Sequence, residues 1–251
     1  MTRAGAARNT ARALFTGLLA VLLFPCQASA TDALGRANFE RERASHDARH
    51  VADWVVHAAD NHVRDNPTGD KYLLPFVIVD KREARVFVFD AHGQLRGAAA
   101  ALLGEARGDD AVPGIGDREL SDFRPQDKTT PAGRFVAALG ESTRGEDVLW
   151  VDYKTATSMH RVLTTNPRER RLERLASATP LDNRISYGCI NIPAKFYEDV
   201  VRPAFTGTYG IVYILPESKT VREVFASYDV GEGAPKQGAI PAAEIKVSQS
   251  H

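Results

Sequence analysis

The sequence predicts a β-dominated fold, a sandwich or barrel with a few peripheral helices. Most apolar runs between residues 76 and 215 are short and rich in Val, Ile and Phe. Gly, Pro, Asn and Asp clusters separate them at short spacing. Helix-period segments are few and lie mainly at the margins of the strand-rich region.

Taken in order, a first helix starts at Ser45, with Ala48, Val51, Val55, Ala58 and His62 recurring at helical spacing beside Trp54. Asn66-Pro67-Thr68-Gly69 ends it. His57 and His62 read as partly buried or surface residues. Phe76–Asp80 and Arg85–Phe89 form a hairpin, and Leu95–Leu103 a third strand. Gly104–Lys128 is a long loop with Asp109-Asp110 and Pro113-Gly114-Ile115-Gly116-Asp117. A loop of that length is usually functional. Without metal-ligand spacing, it reads as a solvated acidic loop. Thr130–Phe135, Val148–Tyr153 and Thr157–His160 are further turn-and-strand segments. Asn166 as cap, Pro167 at the first position and Glu169 at the third then open a basic helical insert, with Leu172 and Leu175 on its buried side. Pro193–Val201 reads as a helix stopped by Pro203, Gly210–Leu215 as a last strand, and Thr220–Phe225 as a short helix. From Tyr228 the composition is that of a disordered tail.

The first thirty residues have the composition of an export signal. Arg3, Arg8 and Arg12 precede an apolar run from Ala13 to Pro25, too short to span a bilayer, and Ala28-Ser29-Ala30 offers a small-x-small cleavage site. Cys26 follows Phe24-Pro25, bulky and rigid where lipid attachment needs small residues. The expected organisation is a signal peptide at 1–30, a helical segment at 31–70, a catalytic domain at 71–218, and a short helix and tail at 219–251. Export to the periplasm or cell envelope follows, with no transmembrane segment after signal removal. Cleavage takes the formal charge from zero to −3, which argues against nucleic acid as partner.

Of the two cysteines, Cys26 would leave with the signal, so Cys189 has no partner for an internal disulfide. A lone thiol in an oxidising compartment is a liability unless it is buried or used. Its setting, Ile185-Ser186-Tyr187-Gly188-Cys189-Ile190-Asn191-Ile192, suggests use as a nucleophile. A free thiol with a pKa of about 8.5 is only a few per cent ionised at pH 7. A helix starting after Cys189, capped by Asn191, would contribute about 0.3–1 kcal/mol, short of the roughly 2.7 kcal/mol that a two-unit shift requires. A basic partner is therefore needed, and His160 at a strand end is the candidate general base. The backbone N–H groups of Gly188 and Cys189 are candidate oxyanion donors. Between Arg161 and Arg184 lie six arginines against three acids. Arg170–Glu173 pairing would solvate the helix face, while Arg161 and Arg184, nearest base and nucleophile, are candidates for binding a substrate carboxylate.

Ser186-x-Gly188-Cys189-Ile190, the upstream His160, and Thr130-Pro131-x-Gly133-x-Phe135 together resemble the L,D-transpeptidase (YkuD-type) catalytic domain family, over about Tyr72 to Glu217. The resemblance implies a YkuD-like β-sandwich or barrel with the cysteine on a cleft loop. It implies attack by Cys189 on the peptide bond after the L-centre of diaminopimelate in a peptidoglycan stem peptide, departure of D-alanine, and transfer of the acyl group to an amine on a second stem or an envelope protein. His160 would shuttle the proton and a carbonyl near Arg161 would orient it, with no metal and no organic cofactor. This chain departs from the pattern at Tyr187 (commonly His), Asn191 (commonly Arg) and Arg161 (commonly Gly), and in its longer interval from His160 to Cys189. Ser186, Tyr187 and Asn191 are thus candidate orienting or substrate-binding residues. Arg161 or Arg184 is expected to replace the missing arginine. A hydrolase on the same scaffold is the nearest alternative. A non-catalytic envelope-binding protein is the alternative of another class.

Overall fold

A computed structural model describes residues 42–64 and 72–232. The proposed export signal and the Asn66–Gly69 turn lie outside the described residues. Helix α1 (His46–Ala58) begins where Ser45 Oγ accepts a hydrogen bond from the Ala48 N–H at 3.1 Å. Ten strands follow: β1 (Phe76–Asp80), β2 (Arg85–Phe89), β3 (Leu95–Ala100), β4 (Leu103–Gly104), β5 (Gly133–Glu141), β6 (Asp147–Asp152), β7 (Thr157–Arg161), β8 (Arg184–Ser186), β9 (Ile190–Ile192) and β10 (Gly210–Ile214). Helix α2 (Arg171–Ala176) lies between β7 and β8. Helices α3 (Ala194–Phe196) and α4 (Arg202–Phe205) are joined by a π-helical stretch, Tyr197–Val201, and α5 (Val221–Phe225) follows β10.

Eight strands form one sheet in the order β3-β2-β1-β10-β5-β6-β7-β9. Its two ends approach each other. Leu102, just beyond β3, exchanges backbone hydrogen bonds with Asn191 of β9 at 2.7 and 2.9 Å. The sheet is therefore nearly closed, and the fold is mostly β with short helices, as the strand pattern predicts.

Strand alternation sends side chains to two cores. Val77, Val79, Val86, Val88, Leu149, Met159, Ile190 and Ile192 face one, together with Tyr197, Val201 and Phe205 from the α3–α4 segment. Phe76, Ile78, Phe87, Phe89, Ile211 and Tyr213 face the other, beneath Val51, Trp54 and Val55 of α1 and Phe225 of α5. With both faces covered, β1 and β10 are buried along their whole length. Asp60 pins α1 in place. It accepts Arg134 Nε at 2.7 Å and the Tyr213 hydroxyl at 2.8 Å.

Several local expectations change. Residues 190–192 are a strand, and the helix after Cys189 starts only at Ala194, with no side-chain cap. Pro203 does not stop that helix. It sits in the first turn of α4, after the π-helical stretch, where its missing N–H is tolerated. The basic insert is broken into a 3-10 turn, Pro167–Glu169, and α2, with Arg170 between them at φ 51°. Leu172 consequently faces outward, 59% exposed. Asn166 does cap the turn, accepting from the Arg168 N–H, and Arg170 does pair with Glu173. The Gly104–Lys128 loop is not simply solvated, because Asp109 and Asp127 are both buried. Of the expected tail, residues 228–232 are described, with the Tyr228 hydroxyl 3.0 Å from His57 Nδ1, and residues 233–251 lie outside the described residues.

Candidate active site

β7 and β9 run parallel, with Met159 opposite Ile190 and His160 opposite Asn191. A parallel pair needs a long crossover. The segment from Val162 to Asn183, with its basic insert, is that crossover. The register brings the end of β7 beside the turn that enters β9. Alternation places Ser158 and His160 on the same face of β7, while Met159 points into the core.

The turn holding Cys189 is held by four hydrogen bonds made by two hydroxyls. The Ser186 hydroxyl donates to the Cys189 carbonyl at 2.6 Å and accepts the Gly188 N–H at 3.1 Å. The Thr130 hydroxyl donates to the Gly188 carbonyl at 2.8 Å and accepts the Gly104 N–H at 2.8 Å. Gly188 adopts φ +129°, and a Cβ there would lie 2.9 Å from the Thr129 carbonyl oxygen. Only glycine fits that conformation beside fixed backbone. Since the Gly188 N–H is engaged by Ser186, the Cys189 N–H is left as the candidate oxyanion donor.

Cys189 is partly exposed. The Ser158 hydroxyl lies 3.6 Å from its Sγ, and the Ala156 carbonyl oxygen 3.5 Å. Burial pushes the thiol pKa up. The hydrogen bond and charge of His160, with the N–H and hydroxyl of Ser158, outweigh burial and bring it below the ordinary value. His160 shows the reciprocal effect. Burial lowers its pKa, but the Cys189 thiolate and the Arg161 carbonyl outweigh it, and the imidazole is held above its ordinary value. Both directions favour a thiolate–imidazolium pair. Without a helix end at Cys189, the imidazole and Ser158 supply this stabilisation.

The imidazole is fixed from two sides. Nδ1 is 2.7 Å from the Arg161 carbonyl oxygen, so it carries the proton in the neutral ring. Nε2 is then the acceptor, 3.4 Å from Asn191 Nδ2. The same amide nitrogen is 3.3 Å from the Cys189 carbonyl oxygen.

The two arginines singled out from sequence are both engaged elsewhere. Arg161 stacks over Tyr197, 4.2 Å from the ring centroid, and pairs with Asp147 at 2.9 Å and Glu198 at 2.5 Å. Arg184 pairs with Glu217 and donates to the Lys81 carbonyl at 2.8 Å. Arg171 is the guanidinium that reaches the site, with Nη1 2.6 Å from Asn191 Oδ1. Tyr187 is 40% exposed at the mouth, edge-on to Phe123 with centroids 5.9 Å apart, and Lys128 Nζ lies 4.5 Å from its ring centroid. Ser158, Thr130 and Arg171 also contact the candidate site, and the sequence reading does not single them out. Alternation in β7 signals the first and the TPxGxF motif the second.

Behind the turn, Lys81 is buried with all three donors used, on Gly108 O at 2.5 Å, Thr130 O at 2.9 Å and Asp109 Oδ1 at 3.1 Å. Asp109 also accepts the Glu217, Ser218 and Lys219 N–H groups and the Ser218 hydroxyl at 2.5–2.8 Å. Among the described residues, no group of three His, Cys, Asp or Glu side chains is arranged to hold a metal ion. Among them, too, no helix is long and apolar enough to cross a membrane.

No protein-family model matches the sequence, and no curated protein does. Solved structures do match. The catalytic domain of an E. faecium L,D-transpeptidase is 14% identical with a TM-score of 0.35, over 57% of this chain and 98% of that one. An L,D-transpeptidase from Xylanimonas cellulosilytica is 14% identical with a TM-score of 0.34, over 56% of this chain and 60% of that one. The helical cell shape determining protein Pgp2 from Campylobacter jejuni is 15% identical with a TM-score of 0.35, over 59% of this chain and 49% of that one. This chain thus spans nearly all of the first protein and about half to three-fifths of the other two. The solved structures it resembles include L,D-transpeptidase catalytic domains.

Proposed function

We propose that the protein is a cysteine acyltransferase of the L,D-transpeptidase kind, acting on peptidoglycan stem peptides in cell-wall remodelling. The observation that carries the proposal is the parallel β7–β9 register that brings His160 beside the Cys189 turn, which Ser186 and Thr130 close by hydrogen bonds. The SxGC and TPxGxF resemblance supplies the substrate class. Export to the cell envelope belongs to the same reading.

In the first half-reaction the Cys189 thiolate attacks the carbonyl carbon after the L-centre of diaminopimelate. The C–N bond breaks, D-alanine leaves with the proton carried by His160 Nε2, and a thioester remains. In this reading the Cys189 N–H donates to the developing oxyanion. In the second half an amine, on another stem or an envelope protein, attacks the thioester carbonyl and gives its proton to His160; the C–S bond breaks and Cys189 leaves as the thiolate. Neither half calls for a metal or organic cofactor. The hydrolase alternative differs only in that water takes the place of the amine. Incubation with a disaccharide-tetrapeptide, read by mass spectrometry, tests the proposal. Transfer gives a cross-linked dimer, and hydrolysis gives tripeptide alone. Equal turnover by Cys189→Ala would show the nucleophile assignment to be wrong.

A further inference from the structure

We propose that Arg171, delivered by the crossover insert, is a positioning residue for the Cys189–His160 pair, acting through Asn191. This rests on the cysteine–histidine reading above. The Asn191 amide has two ends, and rotation by half a turn would exchange them. Arg171 Nη1, 2.6 Å from Oδ1, makes that exchange unfavourable, since a flipped amide would set two donors against each other. The amide nitrogen is thereby held towards His160 Nε2 and the Cys189 carbonyl. A donor at Nε2 and an acceptor at Nδ1 specify one neutral tautomer, the one with its proton on Nδ1.

The approach of Arg171 is itself specified. Glu169 Oε2 holds its Nε at 2.5 Å, and the left-handed Arg170 turns the chain so that Arg171 points inward while Leu172 points out. The Arg171 side chain is only 10% exposed. Charge enters as well as geometry. The charged or titratable groups that face the imidazole are Cys189 from the turn and Arg171 from the insert, the latter partly neutralised by Glu169. β9 presents only the neutral Asn191, and Arg161 on β7 turns its guanidinium to Asp147 and Glu198. Arg171 therefore opposes protonation of His160, while Cys189 favours it.

The test is an NMR titration of the His160 ring in the full chain, with the signal identified by its loss in His160→Gln. Arg171→Gln should raise the titration midpoint by about half to one pH unit and mix the two neutral tautomers in the ring ¹⁵N shifts. Arg171→Lys, which keeps the charge, should hold the midpoint near wild type. Glu169→Gln should lower the midpoint, and gives the opposite sign should Arg171→Gln not fold. A midpoint and tautomer unchanged in both Arg171→Gln and Glu169→Gln would overturn the proposal. If alkylating Cys189 left the wild-type midpoint where it was, the cysteine–histidine reading itself would fall. A midpoint that responds to alkylation and to neither substitution would remove Arg171 alone.

Discussion

His160 Nδ1 lies 2.7 Å from the carbonyl oxygen of its own chain neighbour, Arg161. A side chain on a strand that bonds the next residue's carbonyl has one of its two ring nitrogens oriented by backbone. Nε2 is then the ring nitrogen whose proton is exchanged. With the Cys189 pKa lowered, alkylation by iodoacetamide should be half-maximal below the ordinary thiol value of about 8.5. His160→Asn removes the dominant opposing interaction and leaves burial to push the thiol up. Its alkylation rate at pH 7 should fall by about tenfold or more. Rates for the two proteins between pH 5 and 10 decide this, and superimposable profiles would refute the pairing.

Gly188 and Thr130 set the position of the Cys189 thiol. Gly188→Ala forces a Cβ into a φ of +129° and to 2.9 Å from backbone that cannot give way. Turnover of a stem peptide should drop by about two orders of magnitude, the sort of loss that a displacement near 1 Å produces. Thr130→Val keeps the volume but strands the Gly188 carbonyl and the Gly104 N–H, both buried. Each unpaired group costs about 1–3 kcal/mol. Urea unfolding should show that loss, and a stability within about 0.5 kcal/mol of wild type would mean the turn does not depend on Thr130.

The sequence made the strand core legible, because period-two runs are dense and the hairpin β1–β2 has its own turn. Cys189, His160 and the TPxGxF motif, which the structure brings close together, are legible for the same reason: their sequence signals are local. What escaped was set by pairing. Residues 190–192 look like the start of a helix, yet parallel pairing with β7 and the bridge to Leu102 hold them extended. Asp109 looks like a solvent-facing loop acid, but donors from residues 217–219 and the Lys81 ammonium bury it, from segments far away in the chain. The choice of arginine failed likewise. Arg161 and Arg184 are close to the site in sequence, while Arg171 is close in space because of the left-handed Arg170.

The Lys81–Asp109 pair should be the most sensitive point of the scaffold to acid and to substitution. Burial pushes the Asp109 carboxyl up, but the Ser218 hydroxyl and three N–H donors outweigh it and hold it well below the usual carboxylate range. A depressed folded pKa gives stability that is present above the unfolded value of about 3.9 and lost as pH falls below it. Lys81→Met leaves Asp109 without its cation and the Thr130 carbonyl without its donor. Breaking one side of a buried pair costs about 3–5 kcal/mol. The melting temperature at pH 7 should fall by on the order of 10 °C. Asp109→Asn should lower stability at pH 7 and flatten the acid limb between about pH 5 and 2. Circular dichroism melts over that range measure both effects, and an acid limb as steep in Asp109→Asn as in wild type would assign it to other groups.

Tyr187 offers a different kind of test, because it touches neither the thiol's hydrogen bonds nor the imidazole's. Its ring stands at the mouth against Phe123 and beneath Lys128, which Glu105 holds at 2.8 Å. Under the proposed function, this exposed aromatic residue two positions before Cys189 would give a substrate a flat apolar wall beside a cation. Removing it should weaken binding without changing how Cys189 ionises. Tyr187→Ala should raise KM for a stem peptide by about three- to tenfold, an amount consistent with losing about 0.5–1.5 kcal/mol of aromatic contact, while the alkylation profile of Cys189 stays that of wild type. A change in kcat or in the alkylation profile, with KM unmoved, would place Tyr187 in the chemistry instead of in substrate binding.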